Sequence, residues 1–236
     1  MNPTEFQSIQ QRILYEDNHL IAINKLAGEL AQGDKTGDKT LIDTLKAYIK
    51  IKDHKPGNVY LGLIHRLDRP TSGILIFAKT SKALTRMNEL FKTREVQKKY
   101  WAIVEGKPEA TSDRLEHYLR KNAKTNKVSV FQKPTPEAKQ AILTYEVLGN
   151  LNFYSLVEVD LHTGRSHQIR AQLSHIHHAI KGDLKYGAKR SNPDGSISLH
   201  ARSVHFIHPV TKEEIDITAP PPHDKIWQDC LKLTSN

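Results

Sequence analysis

Short blocks of apolar residues, alternating or continuous and four to eight long, recur through most of this chain, with a few helical stretches between them. Ile13, Leu14 and Tyr15 face Leu20 to Ile23 across a polar turn at residues 16–18. That predicts a hairpin, ended by Lys25 and Gly28. A polar, glycine-bearing loop follows at residues 32–39. Thr40 is then placed to cap a helix whose Leu41, Leu45, Tyr48 and Ile49 share a face. Residues 74–78, ILIFA, follow Thr71-Ser72-Gly73 and read as a buried strand. Ser81 is the expected cap of a helix carrying Leu84, Met87 and Phe91, with a basic far end at Lys92, Arg94, Lys98 and Lys99.

Tyr100 to Val104 predict the next strand, closed by Gly106 and Pro108. Two short strands are expected within residues 115–131, around a loop at 121–127 with three lysines and no acid. Alternation returns at residues 141–148 and 155–161. The chain then turns through Thr163-Gly164 into a short helix at 165–173 with Ile169, Leu173 and Ile176 on its apolar side. Strands at 198–207 and 214–218 precede Pro220-Pro221-Pro222, and a last helix carries Trp227, Cys230 and Leu231. No repeat, low-complexity tract or linker divides the chain. The pattern implies a single α+β domain dominated by a mostly antiparallel sheet.

Charge changes this picture more than size does. The 236 residues carry a formal net charge of +9, which favours an anionic partner such as nucleic acid or a membrane surface, with solubility as the bland reading. No apolar run is long enough to span a bilayer, and the N-terminus lacks the apolar core of a signal peptide. A soluble, cytoplasmic protein is expected. The lone Cys230 excludes an internal disulfide, and its helical setting favours packing over nucleophilic chemistry.

Thirteen histidines raise the question of a metal, most of all at His175, His177 and His178. His175 and His178 lack the nearby acid of a helical zinc pair, so no metal is expected. No phosphate-binding glycine loop occurs, which argues against ATP or NAD, and no serine sits in a GxSxG elbow. The residue that calls for explanation is Asp68, in the loop entering the 74–78 strand. A carboxylate there serves catalysis, caps a turn, or pairs with Arg66 or Arg69.

His65-Arg66-Leu67-Asp68 and TGRSHQIR at residues 163–170 resemble two signature motifs of the RluA-type pseudouridine synthases. ILYEDNHLIAINK resembles that family's first motif, KKYWAIVEG its tyrosine strand, GDLKYG a later loop and LHARSVHFIHPVTKE its closing strand. The matches keep their order from about residue 13 to the proline run. One departure is Leu26, where the family usually has proline in NKPAG, a change to a loop's shape.

The resemblance implies a catalytic domain on a mixed, mostly antiparallel sheet at residues 13–222, between an extension at 1–12 and a tail helix at 223–236. It implies isomerisation of uridine to pseudouridine in a ribosomal or transfer RNA stem-loop, with no cofactor, no nucleotide and no metal. On the family pattern Asp68 is the essential aspartate, Arg170 pairs with it, and Tyr100 lies against the uracil. Arg66 fills the gap left when the target nucleotide flips out. RNA contacts are further expected at Arg165, His167 and Gln168, and at Lys98 and Lys99 within a basic rim that includes Lys92, Arg94, Lys121, Lys124 and Lys127. With no extra RNA-binding domain before the first motif, the catalytic domain is expected to capture its own substrate as a monomer. The alternative is an RNA-binding protein that keeps this fold without catalysis.

Overall fold

The computed structural model describes residues 1–33 and 37–234, so the middle of the polar loop expected at 32–39 lies outside the described residues. Two compact units are present. The first comprises residues 1–96 and 203–220, the second residues 97–202 and 221 onward.

In the first unit, β1 (Ile13–Glu16) and β2 (Leu20–Lys25) form the expected hairpin, and β2 pairs along its length with β4 (Ser72–Ala78). The short β3 (Gly62–Leu63) lies against the end of β4, opposite Ala78 and Phe77. Each of these ladders is antiparallel. Strand β4 is buried over all seven residues because both of its faces are covered, which is why it reads as a continuous apolar run. Helix α2 (Leu41–Lys52) has Thr40 at its N-cap, accepting from the Asp43 amide, and buries Leu41, Leu45, Tyr48 and Ile49. Helix α3 (Ser81–Thr93) is capped by Thr80, one residue before the expected Ser81; the Thr80 hydroxyl accepts from the Ala83 amide at 3.1 Å. Ala83 and Met87 of α3 join Leu20, Ala22, Ile74 and Ile76 in the core, together with Val204, Phe206 and Ile217. The last three come from β10 (Leu199–Ile207), which begins in the second unit, and its antiparallel partner β11 (Glu214–Thr218).

The second unit is a meander in the order β5 (Gln97–Glu105), β9 (Tyr154–Leu161), β8 (Lys139–Asn150), β6 (Ser112–Asn122) and β7 (Lys127–Phe131), antiparallel throughout. Strand β5 begins at Gln97, so Lys98 and Lys99 belong to it and not to the end of α3. Arg94, in the left-handed region, terminates that helix. Helix α5 (Lys225–Leu233) packs Trp227 and Cys230 against Trp101, Ile103 and Leu156. Burial pushes the Cys230 thiol up to about 11, as suits a packing residue.

One helix was not expected. Helix α1 (Pro3–Arg12) has Asn2 as N-cap, accepting from the Glu5 amide, proline in its first turn and Ile9 buried. Arg12 grips both oxygens of Glu29 at 2.9 and 3.0 Å, and Glu29 also accepts from the Leu26 backbone amide at 2.8 Å. A proline at position 26 has no amide hydrogen to give, so this bond is a physical consequence of the departure from NKPAG.

Candidate active site

In the first unit the HRLDRPTSG loop is held from several sides. The Asp68 carbonyl accepts from the Thr71 amide at 3.0 Å, which closes a turn and leaves the half-buried carboxyl side chain carried on rigid backbone. His65 stacks on Phe91 at 5.1 Å, and its Nε2 accepts from the Ile76 amide at 3.2 Å, which ties the loop to β4. Arg69, for which sequence alone offered no function, is a second tether. Its carbonyl accepts from the Gly28 amide at 2.8 Å, its Nε donates to the Gly28 carbonyl at 3.0 Å, and its guanidinium meets Asp38 at 3.0 Å. Arg66 is exposed and lines a cavity of about 470 Å³ with Gln32, Ile42, Leu63, Ile64 and His65.

Lys25 is the anchor that sequence reading missed. Its side chain is fully buried, and its Nζ donates to the carbonyls of Leu26 at 2.9 Å, Arg69 at 3.1 Å and Thr71 at 2.7 Å. Three donors thus meet three acceptors on the two loops that flank Asp68. Burial lowers its pKa to about 8, although Glu29 and Asp68 pull it upward. Lys25→Met leaves three carbonyls without their donor, and an expected loss of about 2 kcal/mol or more follows from that desolvation. The effect has a pH signature. Between about 8 and the ordinary lysine value of 10.5 the unfolded chain holds a proton that the folded chain has released, so wild-type stability contributed by Lys25 rises with pH across that window. Urea unfolding of wild type and Lys25→Met on either side of the window should show the difference widening at the alkaline end.

In the second unit, the alternation of β5 sends Lys98 and Tyr100 to one face and Lys99 and Trp101 to the other. Tyr100 is buried, opposite Val159 of β9, which is in turn opposite Tyr145 of β8. Lys98 is half-buried beside Gly164, and burial lowers its pKa while Asp160 opposes the change. Lys99 is exposed and paired with Glu158 at 2.6 Å, an acid that also accepts from the Trp101 indole at 3.1 Å.

The TGRSHQIR segment crosses from loop to helix. Helix α4 (Gln168–His175) starts later than the expected 165, because His167 takes the left-handed conformation (φ 50°) and serves as N-cap residue without a side-chain cap. Gln168 is buried. Its carbonyl oxygen accepts from the Thr163 hydroxyl at 2.7 Å and the Arg165 amide at 3.0 Å, and its Nε2 donates to Ile142 at 3.0 Å, so this side chain holds the loop's shape. Arg165 is exposed, with its Nε donating to the Gln140 carbonyl at 3.0 Å.

Arg170 is buried, and Asp183 receives it with two bonds, 2.6 Å from Nε and 2.9 Å from Nη2. The guanidinium also lies 5.1 Å from the ring centre of Tyr186, whose hydroxyl meets His167 Nδ1 at 2.8 Å and accepts from the Val128 amide at 2.9 Å. The GDLKYG loop therefore supplies two further supports of the TGRSHQIR segment, Asp183 and Tyr186. Gly182 makes room for it: φ is +88°, and a β-carbon there would stand 2.7 Å from the Ser196 carbonyl oxygen.

Among the described residues no group of three histidine, cysteine or acidic side chains is placed to hold a metal ion, and no helix is long and apolar enough to cross a membrane. His175 hydrogen-bonds Gln132, and His178 contacts the Glu105 carbonyl.

Residues 19–175 match the family model for RNA pseudouridylate synthase, a span that contains both motifs. The chain belongs to the RNA pseudouridylate synthase family. Among curated relatives it is 35% identical to tRNA pseudouridine synthase C of Haemophilus influenzae, over 93% of this chain and 95% of that protein. It is 34% identical to ribosomal large subunit pseudouridine synthase C of Buchnera aphidicola, over 93% of this chain and 69% of that one. The human RNA pseudouridylate synthase domain containing 4 has the same fold, with a TM-score of 0.79 at 25% identity, covering 98% of this chain and 95% of that one. As a member of this family the chain is a pseudouridine synthase, an isomerase acting on RNA, and its α+β fold is the one these enzymes share.

Proposed function

We propose that the enzyme converts a uridine in a tRNA or ribosomal RNA stem-loop to pseudouridine with Asp68 as its essential carboxylate. The match at residues 19–175, a span that contains HRLDRPTSG and TGRSHQIR, is the observation that supports this reading most. In the reaction the C1′–N1 bond breaks, the uracil turns, and C5 bonds to C1′; the proton displaced from C5 leaves and one is gained at N1. Substrate and product have the same atoms, so no co-reactant is consumed.

An ionised Asp68 attacks the nucleotide or stabilises the sugar as the glycosidic bond breaks. Arg170 serves the same step by favouring the ionised carboxylate, and Tyr100 packs on the uracil and takes a proton from the sugar. Arg66 occupies the space vacated by the flipped nucleotide. Arg165, Lys98, Lys99 and His167 meet the RNA backbone, whereas Gln168 acts through the loop it holds. The catalytic domain spans residues 13–222 and works as a monomer in the cytoplasm.

Mapping pseudouridine across total RNA from cells with and without the gene tests this directly. The expected result is one or a few tRNA or rRNA positions that lose the modification with the gene; an unchanged map contradicts the proposal.

A further inference from the structure

A cavity of about 500 Å³ opens on the second unit, lined by β6, β7, the start of β8 and the loop before α4. None of Asp68, Tyr100 and Arg170 lines it. Strand register defines its walls. Leu119 stands opposite Lys139, and Lys121 opposite Val128, so these four side chains share one face. Leu119 and Val128 are buried and form an apolar floor, while Lys121 and Lys139 are exposed at the rim. Arg120 points to the other face, where its guanidinium lies 4.9 Å from the ring centre of Phe131.

Arg165 closes the opposite side, held by its bond to Gln140, and Gly164 and Ser166 add backbone without bulk. Glu137 is the single acid on the lining, against four cations: Lys121, Lys139, Arg165 and Arg120, the last with its guanidinium turned toward Phe131. A volume of this size suits a nucleotide, larger than an inorganic anion and smaller than a helix. The chemistry suits one too, with an apolar floor for a base or ribose, cations for the flanking phosphates and an acceptor for a base N–H.

We infer that this cavity receives an unpaired nucleotide of the substrate RNA other than the target uridine, with its phosphates at Lys121, Lys139 and Arg165. The inference rests on the reading of the chain as an RNA-modifying enzyme and adds a second point of attachment. Such a point fixes which uridine is presented, because the distance between anchor and target sets the register of the RNA.

Binding of the transcribed substrate RNA is measured against salt for Asp68→Asn, which holds substrate unconverted, and for the same protein carrying Lys121→Ala and Lys139→Ala. The slope of log affinity against log salt should fall by about two, with affinity down about tenfold at moderate salt. Lys121→Arg with Lys139→Arg should restore both. In the active protein the alanine pair should raise KM and leave kcat nearly unchanged. Lys225→Ala with Lys232→Ala removes the same charge from exposed positions on α5 and should leave the slope nearly intact. An unchanged slope for the cavity pair, or an equal fall for the α5 pair, overturns the inference. Wild-type activity separates the two claims: a wild type that makes no pseudouridine refutes the enzymatic reading, whereas an active wild type with an unaltered cavity-pair slope refutes the anchor alone.

Discussion

Asp68→Asn is expected to lower pseudouridine formation by at least about 10³-fold while leaving RNA affinity and melting temperature close to wild type. Asparagine fills the same volume and keeps the backbone carbonyl that accepts from Thr71, so the turn survives. What it lacks is the negative charge. An amide neither attacks an electrophilic carbon as a carboxylate does nor stabilises a developing cation at the sugar. The side chains of Lys25, His65 and Arg69 hold the loop through bonds to backbone groups, which the substitution leaves in place, so activity should fall much further than stability. The readout is pseudouridine content of a transcribed RNA after incubation, beside a thermal melt. A variant at wild-type rate would show that the carboxylate is dispensable. Wild type and variant both at background would favour the RNA-binding protein without catalysis.

Asp183→Ala should produce the largest loss of stability. Both members of the Arg170–Asp183 pair are buried, with side chains 7% and 1% exposed, and removing the acid leaves a guanidinium in the interior with two N–H groups unmatched. Breaking a buried pair in this way has a typical penalty of about 3–5 kcal/mol. The pair as such need not stabilise the fold, because removing both charges at once removes the desolvation penalty with them. Arg170→Met with Asp183→Leu is therefore expected to recover much of the stability lost by Asp183→Ala and none of the activity. That split is the result expected if the pair is kept for the role proposed for Arg170 and not for stability. Equal stability of wild type and Asp183→Ala in urea unfolding would contradict the geometry.

Sequence made much of the fold legible because its periodicities were clean. The hairpin at β1 and β2, the capped helix α2 and the continuous run of β4 follow from residue pattern alone. Helix α1 was missed although its signals, Asn2, Pro3 and Glu5, are those of a helix start; too few apolar residues accompany them to show a face. Strand β5 was read as starting at Tyr100 because its first residues, Gln97-Lys98-Lys99, are polar. That shift matters for chemistry, since strand alternation is what puts Lys98 with Tyr100 and Lys99 with Trp101.

The proposed site was legible in its motifs and not in its supports. Asp68, Tyr100 and Arg170 stand in recognisable strings, whereas the residues that hold them are found only through space. Lys25 reads only as the end of the hairpin and proves to be buried, donating to three carbonyls. Asp183 and Tyr186 read as loop punctuation and instead hold Arg170 and His167. No period relates a side chain to a partner contributed by a loop thirteen residues away.

The most direct measurement uses the purified wild-type chain and an unmodified RNA transcribed from the sequence that cellular mapping identifies, followed by digestion and nucleoside quantification. The expected result is pseudouridine appearing in step with uridine lost, with no added nucleotide or reductant. Uridine that stays intact under conditions where the RNA is bound would contradict the account.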